Sequence, residues 1–284
     1  MQPTSLNPLV SIFIITHNRS RLLINAIDSV IKQTYENIEI IVIDDYSTDD
    51  TQEVVKKLQN KYSKLKYIKL PVQSGANTAR NQGILAANGE FVTGLDDDDE
   101  MLPHRITKLM EAYSENFAYV YSQVYYVYPN KTKIKRLKIF GNTVTLEHML
   151  YANITGNQVF TTREMYLQAG LYDENLPSAQ DYDMWLKLLS IKPIARIVRE
   201  PLMKIDRNDK IGRISTSKRH LNGYFQVYKK YKHLMTKDQR RFQLFKLRMA
   251  KKKRVSCKSF INYFTFKHIV LYVYLNLKQK LLHD

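Results

Sequence analysis

The chain has 284 residues, of which 44% are hydrophobic, so it can bury a core and form one large domain or a domain with an appendage. Its single cysteine, Cys257, cannot form an internal disulfide. The first thirty residues contain no uninterrupted apolar segment of the kind found in secretory signals, so we expect a protein of a reducing, cytosolic compartment.

The net charge of +17 is unevenly distributed along the chain. From residue 192 to the end there are 25 Lys and Arg against 5 Asp and Glu, whereas the first 191 residues carry 19 against 22. The sequence therefore predicts a near-neutral body followed by a strongly basic tail.

Strand and helix patterns alternate in the first hundred residues. The strands are continuous apolar runs, and the helices have apolar residues spaced three and four apart. Asp50 and Glu53 have the spacing of a capping box near the start of the second helix. This alternation predicts an α/β fold, a mostly parallel sheet with helices on both faces. The predicted strands are 10–16, 38–44, 66–70 and 90–95, and the predicted helices are 20–34, 47–62 and one that ends before Gly89.

Polar side chains follow three of these strands at the point where each strand ends. They are Thr-His-Asn at 16–18, Asp-Asp at 44–45 and four consecutive aspartates at 96–99. In open α/β sheets, ligands bind outside the carboxyl ends of the strands. Four adjacent carboxylates raise the cost of ionising one another, so a positive group is expected against them.

The sequence contains no glycine-rich phosphate loop, because neither G-x-G-x-x-G nor G-x-x-x-x-G-K-[ST] occurs in it. A divalent cation held by aspartates is the natural substitute for such a loop. Mg²⁺ and Mn²⁺ prefer oxygen ligands and commonly bridge carboxylates to substrate phosphates. We therefore expect Mn²⁺ or Mg²⁺ as the cofactor.

Three ordered segments, at 10–51, 74–103 and 170–188, resemble the successive signatures of family 2 glycosyltransferases. The resemblance covers residues 9–205 and implies a GT-A fold. It also implies an inverting transfer of a sugar from a nucleoside diphosphate donor, usually a UDP-sugar, to an acceptor hydroxyl.

The resemblance assigns a donor site to the ends of the strands. Residues 16–18 would lie under the nucleoside, Asp44 with Asp45 would accept a hydrogen bond from uracil, and Arg80 would face phosphate. Without the family, the two aspartates are typical of a turn after a strand, and Arg80 of a solvated helix position. The implied donor residues are Thr16, His17, Asn18, Asp44, Asp45, Arg80, Asn81, Asp96 and Asp97.

The D-x-D pattern of the family falls on Asp96 and Asp98. In an extended segment these two side chains share one face, and Asp97 and Asp99 take the other. Asp98 is expected to bind metal directly and Asp96 to support the ribose or the metal shell. A cluster at the start of the next helix accounts for Asp99 or Glu100, but not for four acids.

The catalytic base implied by the resemblance is Asp181. The family usually has Glu-Asp here, so Gln180 departs from the pattern beside the base, and Trp185 follows one turn on. Gln180 and Trp185 are expected on the acceptor side. On local sequence alone, Asp181 would cap the following helix and Trp185 would belong to its core.

Residues 203–220 are polar and predict a mobile segment that closes over bound donor. Arg207, Arg213 and His220 either contact phosphate or metal there or belong to a solvated basic loop.

We expect a GT-A catalytic domain at 1–217 and a basic helical tail at 218–284. The tail has two helical patterns and then an aromatic stretch whose polar residues make it a poor membrane span. It indicates either a helix lying on an anionic membrane surface or a bundle packed on the body with a solvated basic face.

The combined expectation is a metal-dependent, inverting glycosyltransferase that extends a cell-surface glycan on a lipid carrier. It would lie free in the cytoplasm or bind peripherally to the inner face of the cell membrane. Two alternatives are a pseudo-enzyme that binds a nucleotide sugar, against which Asp98 and Asp181 argue, and a nucleic-acid-binding protein. The second explains the basic tail but not the acidic strand ends, and no RRM, KH or helix-turn-helix pattern occurs, so no nucleic acid partner is expected.

Overall fold

The computed structural model describes residues 7–135, 141–156, 158–207 and 218–250. Strands and helices alternate through the first hundred residues, as the apolar patterns predict. The strands are β1 (Val10–Thr16), β2 (Ile38–Asp44), β3 (Leu65–Lys69), β4 (Phe91–Asp96), β5 (Asp99–Met101), β6 (Val120–Tyr128), β7 (Lys131–Lys135), β8 (Thr143–Thr145), β9 (Phe160–Thr162) and β10 (Ile194–Asp206). The helices are α1 (Ser20–Ile31), α2 (Thr51–Lys61), α3 (Ala76–Ala86), α4 (Arg105–Ala112), α5 (Leu146–Tyr151), α6 (Arg163–Gln168), α7 (Gln180–Ile191), α8 (Lys218–Tyr231) and α9 (Lys237–Ala250).

One sheet joins these strands in the order β3-β2-β1-β4-β9-β6-β10-β5, with β7 paired to β6 and β8 to β10. The first four strands run parallel. In their register Thr16 pairs with Asp44, and Ile15 pairs with Asp96. The polar residues that follow β1, β2 and β4 therefore meet at one edge of the sheet, as the sequence predicts.

Helices cover both faces of the sheet, so its central strands are apolar on both sides. Alternate residues of β1 belong to two different clusters of buried side chains. Phe13 packs in the cluster that contains residues of α3 and α7, whereas Ile12 and Ile14 pack in the one that contains residues of α1 and α4. The carboxyl edge of the sheet is thus flanked by α3 and α7 on one side and by α1 on the other.

The start of α2 differs from the capping box that Asp50 and Glu53 predict. Asp50 occupies the N-cap position, but no side-chain cap bond forms there. Asp49 takes that role instead, because its Oδ1 accepts a hydrogen bond of 3.1 Å from the backbone N–H of Thr51. The spacing rule selected the wrong aspartate from a run of two.

The two predicted tail helices form as α8 and α9, and both pack on the body. Val227 is completely buried, and Phe242 and Phe245 are 1% and 2% exposed. Val227 belongs to the same cluster as Trp185 of α7. Within residues 218–250 the chain therefore follows the packed alternative, and the predicted limit at 217/218 does not separate two cores.

None of the helices in the described ranges combines the length and the apolar character needed to cross a bilayer. The aromatic stretch and the basic run of the predicted tail, from residue 251 onward, lie outside the described residues.

The predicted mobile segment at 203–220 begins as regular sheet. Met203 pairs with Met101, and Ile205 pairs with Asp99, at the end of β10. Arg213 lies outside the described residues, as does the side chain of His220. Arg207 is described, and its guanidinium lies 4.2 Å from the centre of the Tyr126 ring.

Candidate active site

The loops after β1 and β2 are connected by hydrogen bonds of side chains that the family resemblance places in the donor site. Nδ1 of His17 lies 2.7 Å from the backbone oxygen of Asp45. Asn18, which has a φ of 53°, accepts a hydrogen bond of 2.7 Å from the backbone N–H of Thr48 through its Oδ1. These two residues hold the loops in place beside the sheet edge.

Asp44 and Asp45 have different environments in spite of their shared motif. Asp44 has no exposed surface, and its carboxylate accepts hydrogen bonds from the backbone N–H of Ser47 and the hydroxyl of Tyr67. The turn predicted from local sequence therefore forms at Asp44. A uracil ring has no access to the buried side chain of Asp44 in this arrangement. Asp45, which is 6% exposed, accepts from the backbone N–H of Gly75 at the start of α3, at 2.8 Å.

The aspartate run is not extended, so the predicted alternation of faces is wrong. β4 ends at Asp96, Asp97 and Asp98 form a turn, and Asp99 begins β5. The turn places carboxylate oxygens of Asp96, Asp98 and Asp99 within 4.8 Å of one another. Asp97 is not part of this group, and its Oδ2 accepts a hydrogen bond of 2.8 Å from Oγ1 of Thr16.

Two arginines supply part of the positive charge that the aspartates require. Nη1 of Arg19 lies 3.1 Å from Asp97 and 3.5 Å from Asp98. Nη2 of Arg80 lies 2.9 Å from Asp96. Arg19 was missed by the sequence analysis, although its place directly after Thr-His-Asn put it at the same sheet edge.

The remaining charge is still difficult to accommodate. Burial raises the pKa of Asp97 to about 6, although Arg19 and Thr16 favour its ionised form. Burial, reinforced by the neighbouring charges of Asp96 and Asp98, also holds the pKa of Asp99 well above its ordinary range. Three converging carboxylates, one of which is buried and has a raised pKa, fit a hard divalent cation, which binds several carboxylate oxygens and neutralises them.

Arg80 is buried rather than solvated. The residue is 5% exposed, and its guanidinium carbon lies 5.8 Å from the centre of the Tyr172 ring. Its Nε and Nη1 have no hydrogen-bond partner among the described residues. Unpaired buried donors are costly, so these two atoms are available for a ligand.

Asp181 lies in the first turn of α7, close enough to Arg80 and Asp96 for both charges to affect it. It does not cap the helix: Ala179 occupies the N-cap position, and Oδ1 of Asp181 is buried with no partner in the described part of the chain. Burial raises its pKa to about 7, with Arg80 opposing and Asp96 reinforcing the rise. A carboxylate with a free oxygen and a pKa near neutrality can act as a general base.

The loop before α7 is held by two asparagines one turn apart on α3. Nδ2 of Asn77 donates to the backbone oxygen of Asp173 at 2.8 Å. Nδ2 of Asn81 donates to the backbone oxygen of Tyr172 at 3.0 Å, and Oδ1 of Asn81 accepts from the N–H of Tyr172 at 2.8 Å. Asn81 was predicted to contact the donor, whereas here its amide fixes the approach to the base.

Trp185 belongs to the core. It has no exposed surface, its Nε1 donates to the backbone oxygen of Gly156 at 2.8 Å, and its ring lies 5.8 Å from that of Tyr119. This confirms the core role and leaves no ring surface for the predicted contact with an acceptor sugar. Gln180 is half-buried beside Asp181 and remains a candidate for the acceptor side.

A cleft of about 360 Å³ reaches the aspartates from the α1 side. Asp97, Asp98 and Asp99 line it, whereas neither Arg80 nor Asp181 does. The lining residues are Leu22, Asn25, Asp97, Asp98, Asp99, Glu100, Val127, Tyr128, Pro129, Lys204 and Asp206.

Comparison of the sequence with protein families gives a match to the model described as glycosyl transferase family 2, over residues 11–170. WcaA of Escherichia coli K12 is named a putative colanic acid biosynthesis glycosyl transferase. It is 33% identical over 90% of this chain and 92% of its own. A GalNAc(5)-diNAcBac-PP-undecaprenol beta-1,3-glucosyltransferase of Campylobacter jejuni is 43% identical over 40% of this chain and 37% of its own.

Comparison of the structure gives the same class of proteins. S. aureus TarS, residues 1–349 in complex with UDP-GlcNAc, aligns with a TM-score of 0.63 and 18% identity over 85% of this chain and 81% of that one. A mannosyltransferase of Pyrobaculum calidifontis in complex with GDP-Man and Mn²⁺ aligns with a TM-score of 0.61 and 16% identity over 97% and 81%. These likenesses show a GT-A fold.

Proposed function

The chain belongs to glycosyl transferase family 2, and on that premise we propose that it transfers a sugar from a UDP-sugar to a hydroxyl of a lipid-linked glycan, with inversion. The observation that carries this proposal is a set of three buried atoms without partners among the described residues: Nε and Nη1 of Arg80 and Oδ1 of Asp181. Two N–H groups that can donate hydrogen bonds to a phosphate and a carboxylate oxygen that can accept a proton thus lie near Asp96.

The donor would lie along the edge formed by β1, β2 and β4. In this proposal the nucleoside lies on the loop of residues 16–18 and against Asp45. Asp44 stabilises the turn after β2 by accepting a hydrogen bond from the backbone N–H of Ser47. The two free nitrogens of Arg80 donate to the diphosphate, since guanidinium–phosphate hydrogen bonds are among the stronger ones. UDP-GlcNAc in the TarS complex supports a UDP-type donor.

The aspartates would hold a divalent cation, Mn²⁺ or Mg²⁺. Asp98 is the proposed direct ligand, with Asp96 and Asp99 beside it, because their oxygens converge within 4.8 Å. When bound, such a cation neutralises charge that develops on a diphosphate leaving group. Mn²⁺ in the Pyrobaculum mannosyltransferase complex supports this assignment.

Asp181 would take the proton of the acceptor hydroxyl. As that oxygen forms its bond to the anomeric carbon, the bond between this carbon and the diphosphate oxygen breaks on the opposite face, and the proton passes to Asp181. One displacement of this kind inverts the anomeric carbon. The transition state would be oxocarbenium-like, as in glycoside hydrolysis.

The names of two relatives support the proposed acceptor class. The Campylobacter relative carries in its name an acceptor on undecaprenol diphosphate, and WcaA is named for colanic acid biosynthesis. The basic run at Lys251–Arg254 supports an encounter with an anionic membrane surface that would hold such an acceptor.

The test is release of nucleoside diphosphate from a panel of UDP- and GDP-sugars, with and without a lipid-linked acceptor. We expect turnover with a UDP-sugar, loss of turnover in excess EDTA, and recovery with Mn²⁺ or Mg²⁺. Asp98→Ala should lower turnover by on the order of a hundredfold or more, since it removes a metal ligand.

Glu100→Ala is the matched control, because Glu100 lies in the same segment but pairs at the surface with Lys204 at 3.0 Å. It should retain turnover. Undiminished activity in EDTA would remove the metal from the proposal. Tight donor binding without any turnover would support the pseudo-enzyme alternative.

A further inference from the structure

Helix α8 lies directly against the segment that carries the base. A methyl group added at Gly223 would lie 2.6 Å from the carbonyl carbon of Ser178, which is too close for a real contact. The ring of Tyr224, the next residue, lies 5.8 Å from that of Tyr182. The two elements can therefore approach this closely only because residue 223 is a glycine. Its contact on the facing segment, Ser178, lies three residues before Asp181.

Lys230, two turns further along α8, joins two parts of that segment. Its Nζ lies 3.3 Å from Oδ2 of Asp173, in the loop before α7, and 2.8 Å from Oδ1 of Asp183, in the first turn of α7. Asp181 lies between these two anchored residues in the chain. One lysine therefore fixes both sides of the base.

Asp183 makes this anchor rigid because its carboxylate has no exposed surface. In addition to Lys230, it is approached by Nζ of Lys187 at 3.5 Å and by the hydroxyl of Tyr231 at 3.0 Å. A buried carboxylate that loses a partner is strongly destabilised, so it strongly favours the arrangement in which its partners are present.

Ala179 shows that the segment is held in a conformation it would not choose. Its φ and ψ are 60° and 22°, in the left-handed region that disfavours residues with a Cβ. Such a conformation persists where the surroundings impose it. The surroundings here are α8 on one side, through Gly223 and Lys230, and Asn77 and Asn81 of α3 on the other.

We propose that α8 positions the base, with Lys230 and Gly223 setting the direction in which Asp181 faces the acceptor. This rests on the proposed function for the role of Asp181. It adds residues of α8 to the working part of the enzyme, which with Asp181 already reaches beyond the family match that ends at residue 170. Lys230 and Gly223 are positioning residues in this proposal, because they act through the segment of residues 173–183.

The test compares Lys230→Met, Lys230→Arg and Lys229→Met in the full chain. Lys229 is the control because it is exposed on the same helix and its Nζ lies over the ring of Phe225, on α8 itself. We expect Lys230→Met to lower kcat for transfer by about tenfold to a hundredfold, the usual effect of a small misplacement. KM for the donor should stay within about twofold. Lys230→Arg should recover most of kcat, and Lys229→Met should equal the wild type.

Hydrogen exchange of residues 172–183, measured without substrate, gives a second readout that needs no activity. It should be faster in Lys230→Met than in the wild type and unchanged in Lys229→Met. If Lys230→Met does not fold, Asp173→Asn breaks one arm of the anchor at a half-exposed residue and should show the same pattern in kcat.

A wild-type kcat in the folded Lys230→Met variant, or in Asp173→Asn, would overturn the inference. So would unchanged exchange of residues 172–183, an equal loss of kcat in Lys229→Met, or a loss confined to donor KM. Failure of the proposed function looks different: the wild-type chain would then release no nucleotide from any donor, whereas exchange would still report whether Lys230 holds the segment.

Discussion

At the scale of single residues, Asp181 combines burial with a missing partner. Its Oδ1 has no hydrogen bond within the described residues, and burial raises its pKa to about 7. Both properties weaken the fold and suit a base, since a fully bonded carboxylate of ordinary pKa would hold a proton poorly at neutral pH. They lead to two expectations for Asp181→Asn.

The first expectation concerns stability in the metal-free chain. The unfolded chain ionises Asp181 near its ordinary pKa of about 3.9, whereas the folded chain retains the proton up to about pH 7. Folding is therefore progressively weakened by this group as pH rises from 4 to 7, and the full penalty is present above 7. Asp181→Asn removes this penalty, so the stability of the variant relative to the wild type should rise by on the order of 1 kcal/mol or more as pH increases from 4 to 8. Urea unfolding across that range measures the gain, and a difference independent of pH would contradict the raised pKa.

The second expectation concerns chemistry. Because the proposed base acts on the acceptor, Asp181→Asn should keep donor affinity within a few-fold and lose transfer. Calorimetric titration with the donor and a transfer assay separate the two effects. Weakened donor binding together with normal transfer at saturation would assign Asp181 to the donor side instead.

The site was predictable from sequence only in part. The polar strand ends were predicted from their local patterns, and the roles of Asp96, Asp98 and Asp181 were predicted from the family resemblance. Arg19 was missed because its ion pairs with Asp97 and Asp98, which lie about eighty residues away in sequence, form only in the folded chain. Asn81 was given a donor contact because sequence cannot show that its amide is already bonded to a loop 91 residues away.

At the scale of elements, backbone strain is concentrated around the site. In the described part of the chain, the residues other than glycine with positive φ are Asn18, Tyr46, Leu171 and Ala179. Asn18 and Tyr46 follow β1 and β2 at the carboxyl edge, and Leu171 and Ala179 flank the loop that leads to the base. Strained backbone of this kind is typical of functional sites.

Tyr46 offers a test of this strain. Its φ is 66° and its side chain is exposed, so the ring contributes little to the core. Tyr46→Gly and Tyr46→Ala both remove the ring, but only glycine adopts this φ without a steric penalty. We expect the glycine variant to exceed the alanine variant in unfolding free energy by about 1 kcal/mol. Urea unfolding of the pair gives the difference, and a more stable alanine variant would show that the strain is already relieved.

Some strands depend on their own residues, whereas others depend on contacts with distant parts of the chain. β1, β2 and β4 were predicted because their own residues carry the apolar pattern. β5 was not, because three residues become a strand only by pairing with β10, about a hundred residues later. The same long-range pairing bends the aspartate run into a turn and brings Asp99 beside Asp96 and Asp98, which no local periodicity indicates.

At the scale of the whole molecule, the packed positions of α8 and α9 revise where the chain can be cut. Their buried side chains, including Val227 and Phe242, belong to the body. A chain ending at residue 250 should fold with nearly the melting temperature of the full chain and should release nucleotide from its donor. A chain ending at residue 217 should fail to fold, because it exposes the core face that α8 covers. Thermal unfolding and donor hydrolysis of the two truncations provide the measurement.

The same truncations address the anionic membrane surface. The basic run at Lys251–Arg254 and the aromatic residues after it should hold the full chain on anionic vesicles, with each basic residue contributing about 1 kcal/mol near the surface. Binding should weaken at high salt and on neutral vesicles. The chain ending at 250 should sediment less with anionic vesicles than the full chain, and equal sedimentation would defeat the membrane assignment.

The buried position of Trp185 makes the protein its own spectroscopic probe. The chain has one tryptophan, and it lies on α7, four residues after Asp181, among the rings of Tyr119 and Tyr172. Selective excitation of the indole therefore reports on the interior next to the base and on nothing else. A blue-shifted emission that moves to the red only on unfolding would certify, without labels, that a variant inactive in transfer still has an intact helix around its base.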